Sequence, residues 1–206
     1  MKIILINNLY PPYNKGGAES VVRASCKEMQ RQGHTVKVIT TKPYRERPKD
    51  HDPDVIRLNS YYFHLHKLPT PARLLWHIAD ILSIRKYFQI KKILRQQDPE
   101  LVISHNLKGI GHLTPRAIKK MGATHYHTLH DIQLLHPAGL MFWGKEGKID
   151  NILARLYQRI NAFLFHRVDK VISPSQWLLS LHLQRGIFPL STTQVACNLL
   201  SVSPHP

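Results

Sequence analysis

The stretch LINNLYPPYNKGGAES, residues 5–20, decides how the rest of the chain is read. It starts inside the apolar run Ile3 to Ile6, which is opened by Lys2 and has the character of a strand covered on both faces. It ends in the adjacent Gly16 and Gly17, after which Ala18, Val21, Val22, Cys26 and Met29 recur at helical spacing until Gly33 supplies a left-handed stop. Strand, glycine loop and helix in that order open a nucleotide-type α/β unit, but the glycines are the wrong ones. Gly-x-Gly-x-x-Gly is missing, and the second strand closes in Thr40, Thr41 and Lys42 where a ribose-binding acid is expected, so a dinucleotide site fits poorly. YNKGGAES also lacks the Gly-Lys-Ser/Thr of a P-loop. Two readings of the loop stay open. Gly16 and Gly17 either bring bare backbone and a helix N-terminus close to an anionic ligand, or they simply make a tight turn.

Outward from that stretch, the chain alternates short buried strands with helices. TVKVITT (35–41) reads as the second strand and DVIRLN (54–59), after a proline-bearing loop, as the third. One long helix is expected over residues 72–97, with Leu74, Ile78, Ile81, Leu82, Phe88 and Ile93 toward one side, ending before Pro99. LVISHN (101–106) is the fourth strand, Thr114 to Met121 a helix closed by Gly122, and THYHTLHD (124–131) the fifth strand. A helix over 150–166, the strand and turn KVISPS and a last strand TQVACN complete the series. This order predicts an α/β fold, a Rossmann-like parallel sheet flanked by helices on both faces. Ligands of such sheets bind beyond the carboxyl ends of the strands. That singles out Pro12 to Gly17 after the first strand, His105 and Asn106 after the fourth, His130 and Asp131 after the fifth, and Ser173 and Ser175 after the sixth.

At 206 residues the chain can bury roughly 70% of its unfolded surface. Its charge is unusual: 29 Lys and Arg oppose 13 Asp and Glu, a formal +16 before 14 His are counted. Such a field attracts polyanions, whether nucleic acid, anionic lipid or acidic saccharide. Cys26 and Cys197, far apart, provide neither a disulfide framework nor a thiolate zinc site, and point to a reducing compartment. His125 and His127 share a strand face, but no third ligand has metal-site spacing. The apolar run at the N-terminus is too short for a signal peptide, and no later run is long enough to span a bilayer.

The pieces PPYNKGGAE, LVISHN, HTLHD, VISPSQWL and VACN, in this order, resemble the N-terminal half of a GT-B type retaining glycosyltransferase of family 4. The resemblance covers almost the whole chain. It implies an acceptor-binding domain over residues 1–200, the start of an interdomain linker at 201–206, and a separate donor-binding lobe with an E-x7-E motif that would follow NLLSVSPHP. It implies a full-length enzyme that moves a sugar from a nucleotide-sugar to a saccharide or lipid-linked acceptor, with retention and with no bound metal or other cofactor, in cell-surface polysaccharide or glycolipid synthesis. This part alone would be inactive. Carried over by position, His130 is the cleft histidine and Asp131 its neighbour, which either orients His130 or binds acceptor; Gly16 and Gly17 face the donor diphosphate. Tyr13, Asn14, Lys15, Glu19 and Asn106 become acceptor contacts.

Residues 61–97 carry seven Lys and Arg against the single acid Asp80, with Tyr61, Tyr62, Phe63 and Trp76 near the start. Arg85, Lys86, Lys91 and Lys92 are therefore expected to face an anionic membrane, at the inner face of the plasma membrane of a cytoplasmic protein. The competing reading packs Leu74, Ile78 and Ile81 on the sheet and leaves the lysines in water. Two other classes compete for the whole chain: a basic nucleic-acid-binding module, which lacks any helix-turn-helix, RNP or zinc-finger signature, and a non-catalytic α/β interaction domain.

Overall fold

A computed structural model describes residues 1–13, 16–48, 51–141, 144 and 149–197. Its centre is a seven-stranded, wholly parallel sheet in the order β3-β2-β1-β4-β5-β6-β7. Strand β1 (Lys2–Ile6) lies between β2 (Thr35–Pro43) and β4 (Leu101–Ser104), with Ile4 opposite Lys37 on one side and Val102 on the other. The alternation of its side chains explains the continuous apolar run. Ile3 and Leu5 pack with Val22 and Cys26 of α1 (Gly17–Arg31), while Ile4 and Ile6 point the other way, into a larger cluster with Ile90, Leu94 and Ile118. Helices thus cover both faces, as the sequence predicts.

Between β3 (Val55–Ser60) and β4 the expectation of one long helix fails. A 3-10 segment (Tyr61–Lys67) precedes two helices, α2 (Thr70–Ile81) and α3 (Ile84–Gln97). The chain leaves helical geometry at Ser83, with φ −67° and ψ 89°, and the Ser83 carbonyl then accepts the Tyr87 N–H to start α3. Apolar spacing runs through the break although Ile81 is the one buried apolar residue of α2 and Leu74, Ile78 and Leu82 stay about half exposed, so spacing alone does not reveal it. What the break achieves is local: it turns the buried carboxylate of Asp80 onto the Gly109 N–H at 2.6 Å.

The remaining elements are α4 (Thr114–Met121), β5 (Thr124–Thr128), α5 (Ile152–Phe165), β6 (Lys170–Ser173), α6 (Gln176–Leu183) and β7 (Thr192–Val195). Asn151 and Ser175 cap α5 and α6, accepting the N–H groups of Ala154 (2.8 Å) and Leu178 (3.2 Å). The second cap is the signal for α6, an element the strand-and-turn reading of KVISPS does not include. Strands β4 and β5 stop at Ser104 and Thr128, short of the expected Asn106 and Asp131, which releases His105, Asn106, His130 and Asp131 into loops. Asn198 and the expected linker at 201–206 lie outside the described residues. Among the described residues no helix is long and apolar enough to cross a membrane.

Candidate functional site

The chain after β1 turns toward one side of the sheet and the chain after β4 toward the other, and the loops separate at this switch point. A hollow of about 540 Å³ opens there, lined by Asn8, Gly16, Gly17, Glu19, Asn106, His130 and Asp131 together with Tyr62 and Leu140. Five segments remote in sequence therefore meet in one place, and the glycine loop and His130 share it.

The backbone at Gly16 and Gly17 bears on the two readings of the loop. Gly16 is extended, with φ −162° and ψ −166°, and neither Gly16 nor Gly17 has a positive φ. A Cβ on Gly16 would make only ordinary contact with Glu19 Oε2 at 3.6 Å, and one on Gly17 would meet nothing within 4 Å. Neither position needs glycine for its own backbone angle or for steric room within the described residues. A side chain at Gly17 would project into open space at the start of α1. Glu19, 5% exposed, accepts the Gly16 N–H at 3.0 Å and so fixes this helix end while lining the hollow.

The β4 side of the hollow is held by a staple the sequence reading did not identify. Asn7, fully buried, accepts the Asn106 N–H at 3.1 Å and donates to the Leu9 carbonyl at 2.7 Å, and the Asn8 N–H donates to the Asn106 carbonyl at 2.8 Å. A polar pair directly after a buried strand was the available signal. Three residues down the loop, Gly109 has φ +85°, and a Cβ there would lie 2.7 Å from Ser60 Oγ and 2.9 Å from Tyr62 Cβ. Its N–H goes to Asp80, and its carbonyl accepts from Ser60 Oγ (3.0 Å) and Lys86 Nζ.

His130 does not pair with Asp131. Its Nε2 shares a hydrogen bond of 2.9 Å with Nδ1 of His105, and the two rings stack with centroids 5.1 Å apart. Asp131 instead accepts the Asn106 amide at 3.1 Å and the Gln133 N–H at 2.7 Å. The alternative in which Asp131 orients His130 is thereby corrected: an Asx-turn draws the carboxylate forward onto the Gln133 N–H of its own loop, and the neighbouring strand end supplies the partner of His130. Burial lowers His130 to about 4 and His105 well below the usual imidazole value, so both rings are neutral near pH 7. The inner nitrogen of His105, Nε2, is buried with no hydrogen-bond partner. Burial raises Asp131, opposed by its bonds from Gln133 and Asn106 and by nearby Lys108. His125 and His127 are interior and converge on Ser104 Oγ at 2.7 and 2.8 Å.

Two residues lie elsewhere than expected: Tyr13 is not in the hollow, and Lys86 is not on the outer surface. Tyr13 is 9% exposed, its ring edge-to-face with Phe63 at 5.4 Å and under the Arg57 guanidinium at 5.4 Å, so it packs the loop against the β3 side. Lys86 is also turned inward, because the Gly109 carbonyl and buried Asp80 hold its ammonium, and burial lowers it to about 8. It is not on the outer surface with exposed Arg85 and Lys92 and half-buried Lys91. Asn14 and Lys15 lie outside the described residues.

Comparison with known proteins agrees with this architecture. Residues 15–198 match the model of Glycosyltransferase Family 4. A Klebsiella pneumoniae protein described as an uncharacterized 42.6 kDa protein in the cps region is 29% identical over 196 residues. That alignment takes in 91% of this chain and 52% of the relative, so the chain spans about half the relative's length. A structure of sucrose-phosphate synthase from Thermosynechococcus elongatus superposes with a TM-score of 0.58 at 14% identity, over 96% of this chain and 88% of that one. A Phytolacca americana UGT2 complex with UDP-2-fluoro-glucose and pterostilbene gives 0.54 at 11% identity, over 98% and 55%. The fold is one lobe of the GT-B architecture.

Proposed function

Since the chain belongs to glycosyltransferase family 4, we propose that it is the acceptor-binding lobe of an enzyme that transfers a sugar, with retention, from a nucleotide-sugar to a saccharide or lipid-linked acceptor in cell-surface polysaccharide assembly. The observation that carries this reading is the single hollow shared by the bare Gly16–Gly17 loop and His130. The cps-region relative supports the choice of pathway.

In this reading the start of α1 faces the donor diphosphate, whose growing negative charge meets the positive end of the helix dipole. No metal takes part. His130, neutral and with Nε2 committed to His105, offers its other ring nitrogen to the transferred sugar as a hydrogen-bonding group; with a value near 4 it is not the acid that protonates a leaving group at neutral pH. Asp131, Glu19 and Asn106 surround the same space with acceptors and an amide, a set suited to hydroxyl groups. The second lobe brings the donor and closes the hollow against water. Replacing His130 by Ala in the enzyme that carries both lobes is expected to lower transfer about 100-fold, the scale of removing one group that touches the reacting centre. Undiminished transfer by a folded His130→Ala protein would overturn the role.

A further inference from the structure

A second feature lies away from the hollow, on the outer side of α5. Ile152, Leu156 and Phe163 form one stripe along that helix and are 85%, 56% and 63% exposed. Leu156, with the exposed Leu153 beside it, lines a groove of about 540 Å³ whose opposite wall is α2, where Leu74, Ile78 and Leu82 are each about half exposed. A second groove of about 770 Å³ continues along the other half of α5 against α3 and α4, where Ile84 and Phe88 are also exposed. The two grooves share α5 as a wall, and an apolar surface this continuous marks a contact site.

The surrounding charge selects the occupant. Residues 70–97, 114–121 and 152–165 contain a single acid, Asp80, and its carboxylate is buried on the Gly109 N–H. Exposed Arg73, Arg116, Lys120, Arg155, Arg159 and Arg167 stand around the stripe, with the Arg116 guanidinium 4.2 Å from the centre of the Phe163 ring. A second copy of this chain seated here would set these cations against each other. We propose that the α2–α5 face seats the domain on an anionic lipid bilayer, with the stripe at the boundary of headgroups and acyl chains and the arginines on lipid phosphates. The membrane-facing surface is thus centred on α5 and α2 rather than on the basic face of α3. The loop 131–140 borders both regions, since His136 and Pro137 wall the groove while Asp131 and Leu140 line the hollow. Vesicle binding bears on this proposal alone and is indifferent to whether sugar transfer occurs.

Flotation with phosphatidylglycerol vesicles, and with phosphatidylcholine vesicles for comparison, tests it on this chain and on the longer protein. Both forms are expected to bind the anionic vesicles more tightly. The pair Leu74→Gln and Leu156→Gln, at half-exposed positions that the core does not use, should lower binding about tenfold or more. Arg155→Gln with Arg159→Gln should weaken it and flatten its salt dependence, while Arg85→Gln with Lys92→Gln on α3 should change it little. Melting curves establish that each variant is folded. No binding by the native protein overturns the proposal, as does binding that depends on the α3 pair but not on the leucines. Binding by this chain but not by the longer protein also overturns it, since the face is then covered by the rest of the polypeptide. Loss of vesicle binding with concentration-dependent dimers that Leu156→Gln dissolves would assign the face to self-association instead.

Discussion

Acidification should unfold this domain abruptly, and the buried histidines set the size of the effect. His105, His112, His125, His127 and His182 are each 3% exposed or less, and burial drives all five downward: to about 3 for His125, to about 4 for His112 and His182, and well below the usual value for the other two. Unfolded histidine titrates near 6.5, so below that pH the unfolded chain takes up protons that the folded one refuses, and stability falls as pH falls. Two carboxyl groups act in the opposite sense. Burial raises Asp80 to about 6 and also raises Asp131, so the folded state binds those protons first. His77 and His130, each lowered by burial to about 4, act with these five, and seven groups less at most two leave a net difference of about five protons near pH 5, or about 7 kcal/mol of stability lost per pH unit. Against a typical total of about 5–15 kcal/mol, that is enough to unfold the domain within roughly two units. Urea denaturation followed by circular dichroism at several values between about pH 7 and pH 5 measures the slope directly. A flat profile over that interval would refute the account of neutral histidines sealed in the interior.

The two kinds of glycine separate cleanly. Gly17→Ala has no steric obstacle and ordinary φ, so it should raise stability by up to about 1 kcal/mol, seen as a melting temperature a few degrees higher, while transfer by the two-lobed enzyme falls. Gly109→Ala combines a positive φ with contacts under 3 Å and should lose about 2–5 kcal/mol, a melting temperature lower by about 5–15 °C. His105→Phe preserves the stack on His130 but removes the hydrogen bond; it should keep the fold, lower kcat about tenfold, and change the ratio of the two neutral ring forms of His130 in nitrogen NMR spectra. An unchanged His130 spectrum in that variant would show that His105 has no hold on it.

The sheet was legible because its determinants are local. Ile3 to Ile6 can only be a doubly covered strand, and the Gly33 and Gly122 stops fall where the backbone takes positive φ. The site was legible as far as strand ends and their order: Gly16, Gly17, Glu19, Asn106, His130 and Asp131 do line one hollow. What sequence could not reveal was pairing between remote loops. That His130 pairs with His105 and not with the adjacent Asp131 depends on β4 and β5 ending side by side, at Ser104 and Thr128. Lys86 and Tyr13 were misplaced for a related reason. A cation in a basic run and a tyrosine in a polar loop read as exposed, and only the fold shows the Gly109 carbonyl and the Arg57–Phe63 pair that claim them. The break at Ser83 stayed hidden because apolar residues keep helical spacing across it, whether they are buried like Ile81 and Ile90 or about half exposed like Ile78 and Leu82.

The grip on Gly109 has a kinetic corollary. With that peptide clamped by a carboxylate, an ammonium and a hydroxyl drawn from three different elements, the floor beneath Asn106 is rigid before any sugar arrives. On the function proposed above, an incoming acceptor finds a ready mould, so docking waits on no rearrangement of this part of the protein.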